Sequence, residues 1–265
     1  MGLDALRVFV ESGKYHALEL NIKKTAILRE KIRKHQTNIG VKRMEWTEQG
    51  VVGVFEGYRI YDIDVDLLKT FLADLGLLPV LYKVDWSALS SEEQERMKPW
   101  VLSQLPTIRF TTKKDSKSNI NILSNFEERI GELELVQLVE EWKLQKTEND
   151  FLTTKWKNIR MNLQSELSAP CCYRLGFGTI SCSGTAPLIS TIDLYNQLGE
   201  DVIMKNGKVN SSLLPVYMAQ GFFTKRDLKR YRKVIDIRLK YTLMQIHAEQ
   251  RRREYYQDYL RKHSM

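Results

Sequence analysis

The sequence predicts an α+β protein, predominantly helical, with a small and mostly antiparallel sheet in its N-terminal half and a helical C-terminal half ending in one long basic helix. Three observations carry this prediction. Apolar residues recur at helical spacing in most long segments, as in Leu152, Trp156, Ile159, Leu163 and Leu167. Strand-like runs cluster near the start, where VKRMEW and VVGVFE flank the polar turn TEQG and read as a β-hairpin. From Thr224 the final segment opens on a capping pattern with Asp227, then carries apolar residues on two helical faces as far as Ala248.

Taken in order, Leu3, Leu6 and Val10 predict a short buried helix stopped by Gly13. A second helix is predicted over 15–36, with Leu18, Ile22 and Ala26 on one face, a basic second half, and Gly40 as its end. After the hairpin a third strand is predicted over 58–63. Asp64 stands where it can cap a helix carrying Leu67, Leu68, Phe71, Leu72 and Leu75 on one apolar face, which Gly76 stops. Residues 79–84 read as a strand, Ser90 or Ser91 as the start of an acid-led helix interrupted by Pro99, and 107–110 as one more short strand. The polar run 111–121 lacks apolar periodicity and reads as a linker between an α+β domain, 1–110, and a mainly helical domain, 122–265. In the second domain Ser124 and Glu127 predict a helix through Lys146, and another follows over 148–167. The segment 168–189 is dense in Gly, Ser, Thr and Cys and predicts a loop or a short strand pair. A short helix is predicted around 191–198, then a turn at KNGKVNSS.

Charge is the least evenly distributed property. The chain has 41 basic and 33 acidic residues, a net +8. Residues 221–265 alone hold thirteen basic and five acidic side chains, so the tail carries the whole excess and the remaining residues cancel. A basic segment interleaved with tyrosines suits a polyanion, because cations release phosphate counterions and aromatic rings stack on unpaired bases. The candidate nucleic-acid-binding residues are therefore Lys225, Arg226, Lys229, Arg230, Arg232, Lys233, Arg251, Arg252, Arg253, Tyr255, Arg261 and Lys262. The expected function is non-enzymatic binding of DNA or RNA, mostly through the phosphate backbone, by an accessory subunit of a larger assembly. The alternative is a protein-interaction or oligomerisation module whose charge selects an acidic protein partner. An acidic helix near 127–141 is a possible intramolecular partner for the same cations.

No catalytic residue, metal ligand or cofactor is assigned. Asp62, Asp64 and Asp66 alternate and could meet on one face of a strand, as a metal-dependent nuclease would need, but capping accounts for Asp64 or Asp66 and no E-x-K strand follows. The loop RLGFGTISCSGT has Ser181 where the third glycine of G-x-G-x-x-G belongs and no G-K-[ST], so neither dinucleotide nor P-loop binding is supported; a tight turn is the simpler reading. Cys171, Cys172 and Cys182 lack C-x-x-C spacing and read as free thiols of a reducing, cytoplasmic compartment. No secretory leader and no apolar segment of membrane-spanning length is seen. The five tryptophans read as core.

Overall fold

The structure, a computed structural model, describes residues 2–102, 104–113, 116–168 and 170–263. Helices take up 58% and strands 23%, with small antiparallel sheets and a C-terminal helix, so the predominantly helical α+β class is the one the chain adopts.

Two helices open the chain, α1 (Gly2–Glu11) and α2 (Lys14–Ile39). Gly40 ends α2 at φ 75°, a left-handed conformation that a side chain disfavours. The hairpin β1 (Arg43–Trp46) and β2 (Val51–Ile63) is antiparallel, with Arg43 opposite Val54 and Trp46 opposite Val51. Gly57 does not break β2, and the strand expected at 58–63 is its second half. Asp64 caps α3 (Val65–Asp74), its carboxylate accepting from the Leu67 N–H at 3.1 Å. The stretch 79–84 is only half strand: Pro79 sits in the first turn of α4 (Leu78–Leu81), where its missing N–H costs nothing, and β3 (Tyr82–Val84) follows. Next come α5 (Ser91–Met97), opened by a Ser90–Glu93 capping box, then β4 (Val101–Leu102) and β5 (Thr107–Thr112). Helix α6 (Ser116–Arg129) begins inside the segment 111–121 expected as a linker, of which Lys114 and Asp115 lie outside the described residues.

Helix α7 (Leu135–Glu166) is continuous over 32 residues where the periodicity predicts two helices. The polar stretch near residue 148 is carried by local partners: Lys146 pairs with Asp150, and the Thr147 and Thr154 hydroxyls donate to carbonyls one turn back. Strands β6 (Cys171–Leu175) and β7 (Gly178–Ser183) form the expected strand pair, followed by β8 (Leu188–Ile189), α8 (Thr191–Leu198), α9 (Glu200–Asn206), β9 (Gly207–Val209) and α10 (Leu214–Ala219). The chain closes with α11 (Lys225–Leu228), β10 (Arg232–Gln245) and α12 (Ile246–His263).

This last triplet corrects the single helix expected from Thr224 onwards. The capping box forms, but the helix it starts lasts one turn. Ile235, Ile237, Leu239, Tyr241 and Leu243 repeat every second residue, and Val234, Ile235 and Ile237 are β-branched, so the segment also fits a strand. Pairing with β2 decides between the two periods, and the basic C-terminal helix starts only at Ile246.

Packing sorts the chain into two compact units, each assembled from distant stretches: Met1–Glu56, Leu105–Thr185 and Leu239–Gln250 in the first, Gly57–Gln104, Ala186–Arg238 and Arg251–Met265 in the second. In the first unit the early part of α2 shares a core with the late part of α7, through Leu18 and Ile159, while its later part, with Leu28 and Ile32, meets the early Leu138 and Trp142. The two helices therefore run antiparallel. The sheet β5–β7–β6 closes the first of these cores through Phe110 and Ile180. Gly178 is required there, since a Cβ at that position would lie 2.6 Å from both the Phe110 ring and the Thr111 carbonyl oxygen. In the second unit Leu72, Leu81, Met97, Leu194 and Ile203 form one core, framed by the small sheets β3–β9 and β4–β8. The three-stranded sheet β1–β2–β10 contains both strands in which the chain passes from one unit to the other. Trp46 and Trp142 are core residues as expected, whereas Trp100 is 42% exposed.

Candidate nucleic-acid interface

The twelve candidate residues lie on three successive elements. The first is α11 and the turn after it. Thr224 N–H donates to the Asp227 carboxylate at 2.8 Å, and the Asp227 N–H donates back to the Thr224 hydroxyl at 3.3 Å. The Thr224 N–H, then its hydroxyl, and after them Arg230 and Arg226 hold the Asp227 carboxyl below its ordinary range. With Leu228 buried as the anchor, Lys225, Arg226, Lys229 and Arg230 are all exposed.

The second element is β10. Arg232 and Lys233 stand at its start; Lys233 is exposed, while Arg232 is half-buried with its guanidinium 4.7 Å above the Tyr61 ring. Further along, Arg238 pairs with Asp236 at 2.9 Å and Lys240 is exposed. The strand is antiparallel to β2, because the Asp64 N–H donates to the Tyr231 carbonyl at one end while Tyr241 lies against Phe55 at the other. Arg59, Arg238 and Lys240 are exposed cations on these two strands that charge counting along a supposed helix passes over. The signal that finds them is the two-residue period of β10. The same strand displays Ile235, Ile237 and Leu239, which are 60%, 63% and 69% exposed.

The third element is α12. Its start is fixed in the first unit: the Ile246 N–H donates to the Gly50 carbonyl at 2.9 Å, and buried Glu249 accepts from Arg43 at 3.0 Å. The Arg43 guanidinium, which also bonds Glu45, is held above its ordinary value by both carboxylates, Glu45 first. Beyond that anchor every residue from 251 to 258 is exposed, so this part of the helix has no buried face. Arg251, Arg252 and Arg253 lie here, with Tyr255 73% exposed and stacked on Tyr259 at 6.4 Å between ring centres. Arg253, Gln257 and Arg261 follow at four-residue spacing on one face, and Arg261 reaches Asp258 at 3.8 Å. The side chain of Lys262 lies outside the described residues.

The other constellations resolve into local roles. Asp62, Asp64 and Asp66 are exposed, with Asp64 engaged as the cap of α3. Among the described residues no group of three or more His, Cys, Asp or Glu side chains comes together as metal ligands would. The glycine-rich stretch is the end of β6, a two-residue turn and the whole of β7, with Leu175 opposite Gly178. Cys171 faces Cys182 across that ladder, and burial first, then Cys171, raises the Cys182 thiol above its ordinary value. Among the described residues no helix is long and apolar enough to cross a membrane. Comparison with family models, curated proteins and solved structures finds no match to the chain.

Proposed function

We propose that the protein is a non-enzymatic nucleic-acid-binding subunit of a larger assembly, acting in the cytoplasm and gripping the phosphate backbone through its C-terminal segment. One observation carries this reading: the segment that holds the entire net charge leaves Lys225, Arg226, Lys229, Arg230, Lys233, Arg251, Arg252 and Arg253 exposed. A helix with no buried face over 251–258 gains little packing energy there, and its exposed arginines and tyrosines suit a polyanion. A paired β-ribbon and a helix are also the two shapes the major groove of duplex DNA admits. Phosphate contacts of this kind bind with little sequence preference and strong salt dependence. Titration against duplex DNA, single-stranded DNA and RNA at two salt concentrations tests the reading. Replacing Arg251, Arg252 and Arg253 with Ala should weaken binding and flatten the salt slope by about 0.9 for each phosphate of duplex DNA that is no longer neutralised. Unchanged affinity and slope would remove these residues from the interface.

A second reading has its own observation. Ile235, Ile237 and Leu239 expose three large apolar side chains in a row on β10, which fits a protein-interaction or oligomerisation surface. Under that reading replacing them with Ser lowers the mass of the assembly in sedimentation, while the salt-sensitive affinity for nucleic acid is weak from the start.

A further inference from the structure

The second unit contains a small pocket of about 230 Å³, lined in part by Tyr61, Leu68, Ser211, Leu214, Leu228 and Arg232. All but Ser211, Tyr61 and Arg232 of these are apolar. Arg232 lies over the Tyr61 ring, and its Nε is shut off from solvent with no hydrogen-bond acceptor. Its sequence neighbours in charge do not compensate it. Asp64 accepts from the Leu67 N–H and Asp227 is bonded to Thr224, and among the described residues no carboxylate lies within ion-pairing distance of Arg232.

Arg232 is half-buried, its Nε lacks an acceptor, and the contact with one aromatic ring offsets only part of the cost of drawing a guanidinium out of water. We infer that this pocket binds a small organic carboxylate, with the anion on Arg232 and its apolar body against Leu68, Leu214 and Leu228. One guanidinium matches one negative charge, and its two terminal nitrogens, which are not shut off as Nε is, offer the parallel donors that a carboxylate accepts in bidentate fashion. A doubly charged phosphate would meet one cation among hydrocarbon walls and be left under-solvated. The volume is below the ~300–1,000 Å³ of sites for drug-sized molecules, which points to a compact acid. Arg232 thus has a task separate from the exposed cations around it, and this inference stands whether or not the tail binds nucleic acid.

The test uses the full chain with four probes, benzoate, 4-methylpentanoate, the neutral benzamide and inorganic phosphate, read by calorimetry and by methyl-group NMR. Both carboxylates should saturate and shift the Leu214, Met218 and Leu228 methyl signals, while benzamide and phosphate leave them in place. Arg232→Met, which keeps an apolar stem, should weaken carboxylate binding at least about tenfold. Ser211→Trp, at an exposed rim position, should block the mouth and weaken it likewise, so the result does not depend on Arg232→Met folding. The inference is overturned if neither carboxylate saturates up to about 10 mM, if benzamide or phosphate competes equally with benzoate, or if a folded Arg232→Met chain or Ser211→Trp chain binds benzoate as tightly as the original.

Discussion

Gln36 shows how one buried amide ties distant segments together. It is fully buried, and its Nε2 donates to the Val41 carbonyl at 3.0 Å and the Gly53 carbonyl at 3.1 Å, while the Tyr241 hydroxyl donates to its Oε1 at 3.1 Å. Burial pushes the Tyr241 phenol well above its ordinary value, which favours the protonated form that donates. Gly53 is what makes room: a Cβ there would stand 2.4 Å from the Gln36 oxygen and 2.5 Å from the Tyr241 hydroxyl. Two substitutions test the node. Tyr241→Phe should cost about 1–3 kcal/mol in denaturant melts, because the Gln36 oxygen is left without a donor in a dry site. Gly53→Ala should cost about 1–3 kcal/mol by overpacking. A loss below a few tenths of a kcal/mol in both variants would mean the node relaxes freely. Nothing in the local sequence announces this arrangement. A Gln on a helix and a Gly in a strand read as ordinary until β2 and β10 bring them within reach of Tyr241.

Elements whose signals are local were legible, and those decided by distant partners were not. The cap at Asp64, the helix start at Ser90 or Ser91 and the stop at Gly40 each need only residues within one turn, and each formed where the sequence places it. The capping box at Thr224 also formed, yet it says nothing about helix length, and the strand after it depended on pairing with β2, which lies in the first quarter of the chain. The candidate cations were found by charge alone, whereas their division over three elements, and the pocket around Arg232, required that pairing. Helix α1 supplies another long-range case with a consequence for pH. Its first N–H groups have no partner within the helix, and the Glu166 carboxylate at the end of α7 accepts from the Gly2 N–H at 2.7 Å and 2.9 Å. That bond is the largest cause of the lowered Glu166 carboxyl, which is thus depressed in the folded state. A depressed carboxyl contributes stability that is present above its ordinary value near 4.3 and is lost as pH falls through the folded value. Stability should therefore drop between neutral pH and about pH 3 by less in Glu166→Gln than in the original chain, as read by urea melts at several pH values. An identical pH dependence in the two proteins would exclude the clamp.

The division of charge against packing across the two units leads to a cut that separates the two functional readings. Ending the chain after Gln250 removes Arg251, Arg252, Arg253, Arg261 and Lys262 together with a stretch whose residues 251–258 bury nothing. It retains Leu243 in the core and Glu249 with its bond to Arg43, so the start of α12 keeps its anchor. A cut only two residues earlier would leave Arg43 without that carboxylate and confuse lost folding with lost binding. The shortened chain should melt as the full chain does, because exposed residues contribute little to stability. It should still bind polyanions through the cations of α11 and β10, but more weakly and with a salt slope reduced by about 0.9 for each phosphate of duplex DNA left un-neutralised. If the assembly surface is instead the row Ile235, Ile237 and Leu239, which the cut leaves intact, sedimentation should show the same oligomer or captured partner before and after truncation. Measuring both on one preparation distinguishes the outcomes. Lower affinity at unchanged mass assigns the tail to nucleic acid, and unchanged mass of an assembly with weak, salt-insensitive affinity throughout assigns the interface to the strand. A shortened chain that is monomeric like its parent and holds nucleic acid with full affinity and slope would rule out both the tail of α12 and the apolar row as binding surfaces.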